Sequence, residues 1–449
     1  MGHHMRDLSK LIKAYDIRGL VGEEIDAEFV RDVGAGFARL VGTSVAIVHD
    51  MRPSSEPFAM AFADGVTSQG QDVIYCGLGS TDLVYYAAGH LDVAGAVITA
   101  SHNPARYNGI KLCKPGAAPV GQDTGLAEIR TTLETGIPPF IGTLGTITRR
   151  DLAPEYATYL RELVDLSGIR PLRVAVDAAN GMGGYMAQRV FDGLPLEIVP
   201  MYFELDGTFP NHEANPLDPA NLVDLQRKVR EAGADIGLAF DGDADRCFVV
   251  DENGDPVPPS AIVALIATRE LAKSPGAAIV YNAITSRAVP EIITEHGGTP
   301  ARTRVGHTFM KSLMVEQDAV FGGEHSGHYY FRDFWRADTG MLAAMHVLAA
   351  LGTADRPLSA LVADYSRYVA SGEINSEVAD AAETLAAIEK HFQGAETDRL
   401  DGLTVQLDGG AWFNLRPSNT EPLLRLNVEA PDVETMARIR DDVLALVRS

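Results

Sequence analysis

Ala94-Gly95-Ala96-Val97-Ile98-Thr99-Ala100-Ser101-His102-Asn103-Pro104 is an apolar run that passes into small and polar residues and stops at a proline. The pattern reads as a buried strand that delivers its last side chains to an exposed sheet end, where proline ends the pairing. A serine at such a position is either a nucleophile or a turn residue. The surrounding chain decides between the two.

Working outward, Gly109-Ile110-Lys111-Leu112-Cys113 reads as a hairpin partner of that strand. Upstream, Val45–Val48 and Asp72–Tyr75 read as strands. Helices fall at Val30–Leu40 and Phe58–Val66, and Ser80 stands where a helix cap is expected. A polar, Gly/Pro-rich passage over 135–148 separates this unit from a second one, with a helix over 154–166 and the strand Leu172–Val176. Asn180-Gly181-Met182-Gly183-Gly184 lacks the G-x-G-x-x-G spacing and reads as a tight strand-to-helix turn. Asp218-Pro219 opens a helix that ends at Gly233 and leads to the strand 235–240.

A third unit carries strands near 278–281 and 319–321. The end piece has helices around Ala381–Phe392 and Val433–Val443, with strands near 404–407, 411–415 and 423–428. The expected fold class is therefore α/β, with three similar α/β domains and a smaller α+β C-terminal domain. The boundaries fall at 6–143, 144–250, 251–366 and 367–449.

Composition narrows the function. A net charge of −23 argues against a nucleic-acid partner or an anionic membrane surface, and any anionic ligand needs locally gathered arginine and lysine. Cys76, Cys113 and Cys247 are odd in number and widely spaced, as in a reduced cytoplasmic chain. The most apolar stretch, 341–351, is too short to span a bilayer. Met1-Gly2-His3-His4-Met5 reads as an added tag, so His3 and His4 are not metal candidates.

Three further stretches carry chemistry. Asp241-Gly242-Asp243-Ala244-Asp245-Arg246 places three carboxylates on one turn between apolar strands. Such mutual repulsion calls for a counter-ion, and hard oxygens suit Mg²⁺ or Ca²⁺. It is not an EF-hand, because Arg246 stands where that loop needs glycine and the flanks read as strands.

Gly322-Gly323-Glu324-His325-Ser326-Gly327-His328 suits sugar hydroxyls better than zinc, since its glycines favour a loop over the helix that an i, i+3 histidine pair would need. Arg416-Pro417-Ser418-Asn419-Thr420-Glu421-Pro422, with Arg425, offers cations, hydroxyls and turn N–H groups to a phosphate dianion.

Together with Thr99-Ala100-Ser101-His102-Asn103-Pro104, these stretches resemble the four signature loops of the α-D-phosphohexomutases, in that family's order and one per domain. The resemblance implies a four-domain, heart-shaped enzyme whose Ser101 carries a phosphoryl group. Mg²⁺ would be bound by Asp241, Asp243, Asp245 and the Ser101 phosphoryl. The reaction would convert hexose 6-phosphate and hexose 1-phosphate through a hexose 1,6-bisphosphate, which also serves as activator.

It further implies Lys111 and His307 as general acid/base groups, and Arg18 and Arg246 on the reacting phosphoryl. Tyr15, Glu324, Ser326 and His328 would contact substrate, and Arg416, Ser418, Asn419, Thr420 and Arg425 would hold the distal phosphate. Ala244 replaces a more usual glycine, a change expected to be harmless with its methyl turned away. No substrate contact is expected at Asn282-Ala283-Ile284.

His325 and Ser418-Asn419-Thr420 are similar to the phosphomannomutase/phosphoglucomutase branch. The expectation is thus an isomerase acting on mannose phosphates, with glucose phosphates as further substrates, as a monomer or homodimer. Phosphoglucosamine mutation, a non-catalytic sugar-phosphate binder and a serine-dependent phosphomonoesterase are the alternatives. A triad hydrolase is not expected: there is no G-x-S-x-G elbow, and His102, adjacent to Ser101, would point away from it.

Overall fold

The computed structural model describes residues 7–417 and 423–448. The chain folds into two compact units, Met1–Val257 with Ser326–Ser359, and Pro258–His325 with Ala360–Ser449.

The first unit contains two sheets. One runs Ile17–Leu20, Tyr107–Lys114, Ala94–Ile98, Val45–His49, Val73–Leu78, Ile147–Arg149. The three strands Ala94–Ile98, Val45–His49 and Val73–Leu78 are parallel, and the hairpin partner Tyr107–Lys114 is antiparallel to Ala94–Ile98. Val45–His49 and Ala94–Ile98 are buried at every position, which explains why they read as unbroken apolar runs. Ile147–Arg149, inside a passage read as a separator, instead adds a parallel edge strand beside Val73–Tyr75.

Helices Ala27–Val41 and Ser55–Thr67 cross closely on this sheet. A Cβ on Gly34 would meet Phe62 O at 2.3 Å, and one on Gly65 would meet Arg31 O at 1.9 Å. Only glycine permits that approach, and Val33, Phe37, Phe62 and Val66 fill the core around it.

The second sheet of this unit runs Pro256–Val257, Cys247–Asp251, Ile236–Phe240, Leu172–Asp177, Leu196–Met201. Ile236–Phe240 is parallel to Leu172–Asp177 and antiparallel to Cys247–Asp251, so the acidic turn joins two fully buried strands. The helix Ala153–Leu163 stops short of 166, at an extended Val164. The segment Ser326–Ser359 adds the antiparallel pair Tyr329–Phe331 and Ala337–Asp338 and the buried helix Gly340–Thr353. Among the described residues, no helix is long and apolar enough to cross a membrane.

In the second unit, Thr299–Thr303, Ala278–Asn282 and Phe321–Gly323 form a parallel set. The chain end forms an antiparallel sheet, Val369–Ala370, Leu423–Ala430, Trp412–Pro417, Leu403–Gln406, Glu396–Asp398, with Ile374–Glu377 also on Leu423–Ala430. Helices Ala381–His391 and Val433–Val447 contribute Leu385, Ile388, Ile439 and Val443 to its core, at helical spacing.

Candidate active site

Ser101 lies three residues beyond the end of its strand, yet it is buried rather than exposed, with 2 % of its surface accessible. The acidic turn covers it: a Cβ on Gly242 would sit 2.4 Å from Ser101 O. Ser101 adopts the left-handed region, φ 52°, a costly conformation for a side-chain-bearing residue. Its hydroxyl donates to Asp241 Oδ2 at 2.9 Å, so residues far apart in sequence meet at one oxygen.

Asp241, Asp243 and Asp245 are all buried and present carboxylate oxygens within 4.8 Å of one another. Lys111 Nζ donates to Asp243 Oδ2 at 2.7 Å and to Asp245 Oδ2 at 2.6 Å. The alternation of Tyr107–Lys114 aims it there, opposite Val97 in the hairpin. Burial alone would lower the lysine's pKa, but Asp243 and Asp245 outweigh it and push the pKa up, so the side chain stands protonated against the two carboxylates.

Thr81 also donates to Asp243 Oδ2, at 2.6 Å. Burial and Asp245 work against ionisation of Asp243, while Lys111 and Thr81 overcome them and hold its pKa below the usual range. Asp245 is likewise held low by Lys111 and His328 against burial. Asp241, pressed by burial and by its two acidic neighbours, is driven well above its ordinary value.

Among the described residues, Oδ1 of Asp243 and Oδ1 of Asp245 are buried with no hydrogen-bond partner, although His328 Nε2 lies 3.7 Å from the latter. Buried carboxylate oxygens left open in this way, on a hard-oxygen donor set, fit a divalent cation.

Ala244 departs from expectation. It has φ 59° and is buried, so the turn carries a backbone strain that glycine would avoid. His102 departs further. Its Nδ1 lies 3.3 Å from Ser101 Oγ and accepts from Arg246 Nη2 at 3.1 Å, instead of pointing away. Burial, then Arg246 and Arg18, lowers its pKa to about 2, so the ring is neutral and serves as an acceptor.

Arg246 also donates from Nε to His328 Nε2 at 3.2 Å. Ser326 Oγ and His328 Nδ1 are 2.9 Å apart. The guanidinium is thus clamped between two imidazoles beside Ser101. Arg18, on the edge strand Ile17–Leu20, bonds Asn103 and Asp16, and Tyr15, half-buried, lies three residues before it.

The second unit holds the remaining described candidates. Asn282 Nδ2 donates to Glu324 Oε1 at 3.0 Å, and Gly306 N donates to the same oxygen at 3.3 Å. His307 follows as the first residue of the helix His307–Glu316. Asn282 therefore steadies the Glu324 carboxylate from the end of its strand. His325 turns to Ser260 Oγ, 2.9 Å away, and burial lowers its pKa.

Arg416 and Arg425 are direct cross-strand partners, and Glu373 bridges them at 3.2 and 3.5 Å. Among the described residues their Nε atoms are buried without a hydrogen-bond partner, and such donors suit an anion. Ser418, Asn419 and Thr420 lie outside the described residues.

Two contributors escaped the sequence reading: Thr81, and Arg52, whose guanidinium lies beneath the Ser101 loop. The signal for Arg52 was present as Asp50-Met51-Arg52, a charged pair placed directly after a buried strand.

The fold and site define a class: an α/β protein with a serine, an acidic cation cluster and clustered arginines built for phosphoryl chemistry. Comparison with known proteins is specific. Residues 9–137, 154–254 and 258–368 match "Phosphoglucomutase/phosphomannomutase, alpha/beta/alpha" domains I, II and III, and 373–446 match the "Phosphoglucomutase/phosphomannomutase, C-terminal domain". A phosphomannomutase of Escherichia coli is 39 % identical, covering 97 % of this chain and 98 % of the relative. A protein of Xanthomonas campestris pv. campestris named "Phosphohexose mutases" is 40 % identical over 93 % of this chain and 94 % of its own length.

The crystal structure of a phosphoglucomutase/phosphomannomutase family protein from Burkholderia thailandensis superposes with a TM-score of 0.90. It is 33 % identical, over 98 % of this chain and 97 % of that one. The chain belongs to the α-D-phosphohexomutase family, an isomerase family of intramolecular phosphotransferases, and has its four-domain α/β fold.

Proposed function

We propose that the chain interconverts mannose 6-phosphate and mannose 1-phosphate through a phosphoryl group carried on Ser101, with glucose phosphates as further substrates. The observation that carries this reading is the Ser101 hydroxyl 2.9 Å from Asp241, inside a buried carboxylate cluster with two open oxygens.

Asp241, Asp243 and Asp245, with a phosphoryl oxygen on Ser101, would hold Mg²⁺, which supplies charge neutralisation for the transferring group. The side chains do the rest. Phosphoryl transfer needs in-line placement and charge stabilisation more than covalent assistance. Arg246 and Arg18 supply positive charge at the phosphoryl oxygens. Lys111 keeps the acidic cluster compact and donates a proton to the oxygen from which phosphorus departs, with His307 as the second proton carrier.

In the forward half-reaction, the Ser101 Oγ–P bond breaks and a new P–O bond forms at the free sugar hydroxyl, whose proton passes to the base. The resulting 1,6-bisphosphate then returns its other phosphoryl to Ser101. Tyr15, Glu324, Ser326 and His328 bind the sugar, and Arg416, Ser418, Asn419, Thr420 and Arg425 bind the phosphate that does not react. Hexose 1,6-bisphosphate primes the dephosphorylated enzyme. Three buried cysteines outside any disulfide support a reducing, cytoplasmic location.

The test supplies mannose, glucose and glucosamine 1-phosphates in turn, with Mg²⁺ and a trace of bisphosphate. Conversion of the mannose substrate to its 6-phosphate is expected, with loss of turnover in Ser101→Ala. Free phosphate released without isomerisation would overturn the mutase reading, and faster turnover of glucosamine 1-phosphate would overturn the substrate assignment.

A further inference from the structure

We propose that Arg52 is a positioning residue that holds the Ser101 loop in its reactive conformation. Its side chain has no solvent exposure, and its one carboxylate partner, Asp50, is equally enclosed. All five N–H donors of the guanidinium are used. Nε donates to Asp50 Oδ2 at 3.2 Å. Nη1 donates to the carbonyls of Pro104 and Tyr107, both at 2.9 Å. Nη2 donates to the carbonyls of Ser101, at 3.0 Å, and Asn103, at 2.7 Å.

One cation thus gathers four carbonyls from the seven residues Ser101–Tyr107. Asp50 is itself fixed by Arg52 N at 3.0 Å and by the Ser55 hydroxyl, and the Phe209 ring lies 5.1 Å from the guanidinium carbon.

Two consequences follow from this geometry. Ser101 sits at φ 52°, a conformation that persists only where its surroundings impose it. The bond from Arg52 to Ser101 O is one such restraint. The loop also has to accept a phosphoryl dianion, which carbonyl oxygens would repel. With those four carbonyls turned onto Arg52, their negative ends are committed to a cation. A lysine cannot replace this, having three donors on a point charge in place of a planar fork.

The inference rests on Ser101 as the phosphoryl carrier, and two measurements keep the claims apart. The first is amide hydrogen exchange of the dephosphorylated protein without sugar. Arg52→Lys is expected to lose protection in the 101–107 loop by about tenfold or more, with the neighbouring strands Val45–His49 and Ala94–Ile98 unchanged. The second is phosphoryl uptake from labelled glucose 1,6-bisphosphate, followed by mutase kinetics.

Displacement of a nucleophile by about 1 Å costs on the order of 100-fold in rate, so a fall in kcat of about 30-fold or more is expected. KM should stay within about threefold of wild type, and the exposed control Arg227→Lys should match wild type. Phe209→Leu keeps the guanidinium but uncovers it, and is expected to give a weaker form of both effects. It carries the test if Arg52→Lys fails to fold. Unchanged loop exchange, or wild-type kcat, in the variant that folds would overturn the proposal. If wild-type protein takes up no label, the functional reading fails, while the exchange experiment still decides whether Arg52 orders the loop.

Discussion

Lys111 Nζ lies 2.6 Å from Asp245 Oδ2 and nearly as close to Asp243, so one ammonium neutralises part of a carboxylate cluster that has almost no access to water. Removing that cation leaves buried charge uncompensated, a change that typically costs ~3–5 kcal/mol. Lys111→Met is therefore expected to lower the thermal midpoint of metal-free protein by several degrees. Added Mg²⁺ should restore more of the loss than it adds to wild type. Thermal melts with chelator and with Mg²⁺ check this, and equal Mg²⁺ shifts in both proteins would refute it.

Acidity should act on two buried groups with opposite sign. Asp82 accepts from Tyr156 at 2.6 Å, from Thr339 at 2.5 Å and from Ser80, whose hydroxyl turns to it instead of capping the helix Thr81–His90. Burial raises its pKa to about 6, above the value of 3.8 for an unhindered carboxyl. The folded state therefore binds the proton more tightly, and Asp82 costs stability as pH rises from about 4 to about 6.

His102, lowered to about 2 from 6.5, does the reverse: its contribution is present above pH 6.5 and is lost as pH falls below it. Each slope approaches ~1.4 kcal/mol per pH unit within its window. Chemical denaturation from pH 4 to 7 should show Asp82→Asn gaining relative to wild type as pH rises. His102→Gln should gain relative to wild type as pH falls. A pH-independent difference from wild type would refute either assignment.

Glu373 lies against one terminal nitrogen of Arg416 and one of Arg425, where it would compete with the phosphate proposed to bind there. Glu373→Gln is expected to lower the KM for hexose phosphate by about two- to fivefold, and Arg425→Ala to raise it tenfold or more, consistent with charge-assisted bonds of ~1.5–3 kcal/mol. Steady-state kinetics at fixed ionic strength measure both. A rise in KM for Glu373→Gln would contradict a competing role for the carboxylate.

Asn282 fixes one oxygen of Glu324 from the end of its strand. Asn282→Ala removes that donor, and the loss of about 1–2 kcal/mol of hydrogen bonding should appear as a five- to thirtyfold fall in kcat/KM. Binding of inorganic phosphate, measured by calorimetry, should remain unchanged, because the arginine pair is untouched. A parallel loss of phosphate affinity would instead mark a structural role.

What the sequence made legible follows from how far apart the interacting parts are. The acidic turn announced itself because its three carboxylates are neighbours, and their repulsion can be read without a fold. The buried strands were readable as apolar runs for the same local reason. Thr81 and Asn282 act through partners brought close by folding, so nothing within a few residues of them marks that role, and Arg52 shows locally only its pairing with Asp50 while the four carbonyls it holds lie about fifty residues away. His102 was misjudged on a local rule: adjacent side chains usually diverge. The left-handed turn at Ser101 changes the direction of its neighbour, and that dihedral is imposed by tertiary contacts.

The first unit is interrupted in sequence: the chain leaves it after Val257 and re-enters at Ser326. Closing an excursion of that length costs on the order of 4 kcal/mol of chain entropy, recovered only when the returning segment docks. The helix Gly340–Thr353 belongs to that segment, and Gly340 comes so close to Arg246 that a Cβ would lie 2.7 Å from its carbonyl. During synthesis on the ribosome, the acidic turn is therefore made early and waits nearly a hundred residues for its last support. Nascent chains that stop before Gly340 should hold the Asp241–Arg246 turn open to protease, and those that extend past Ser359 should protect it.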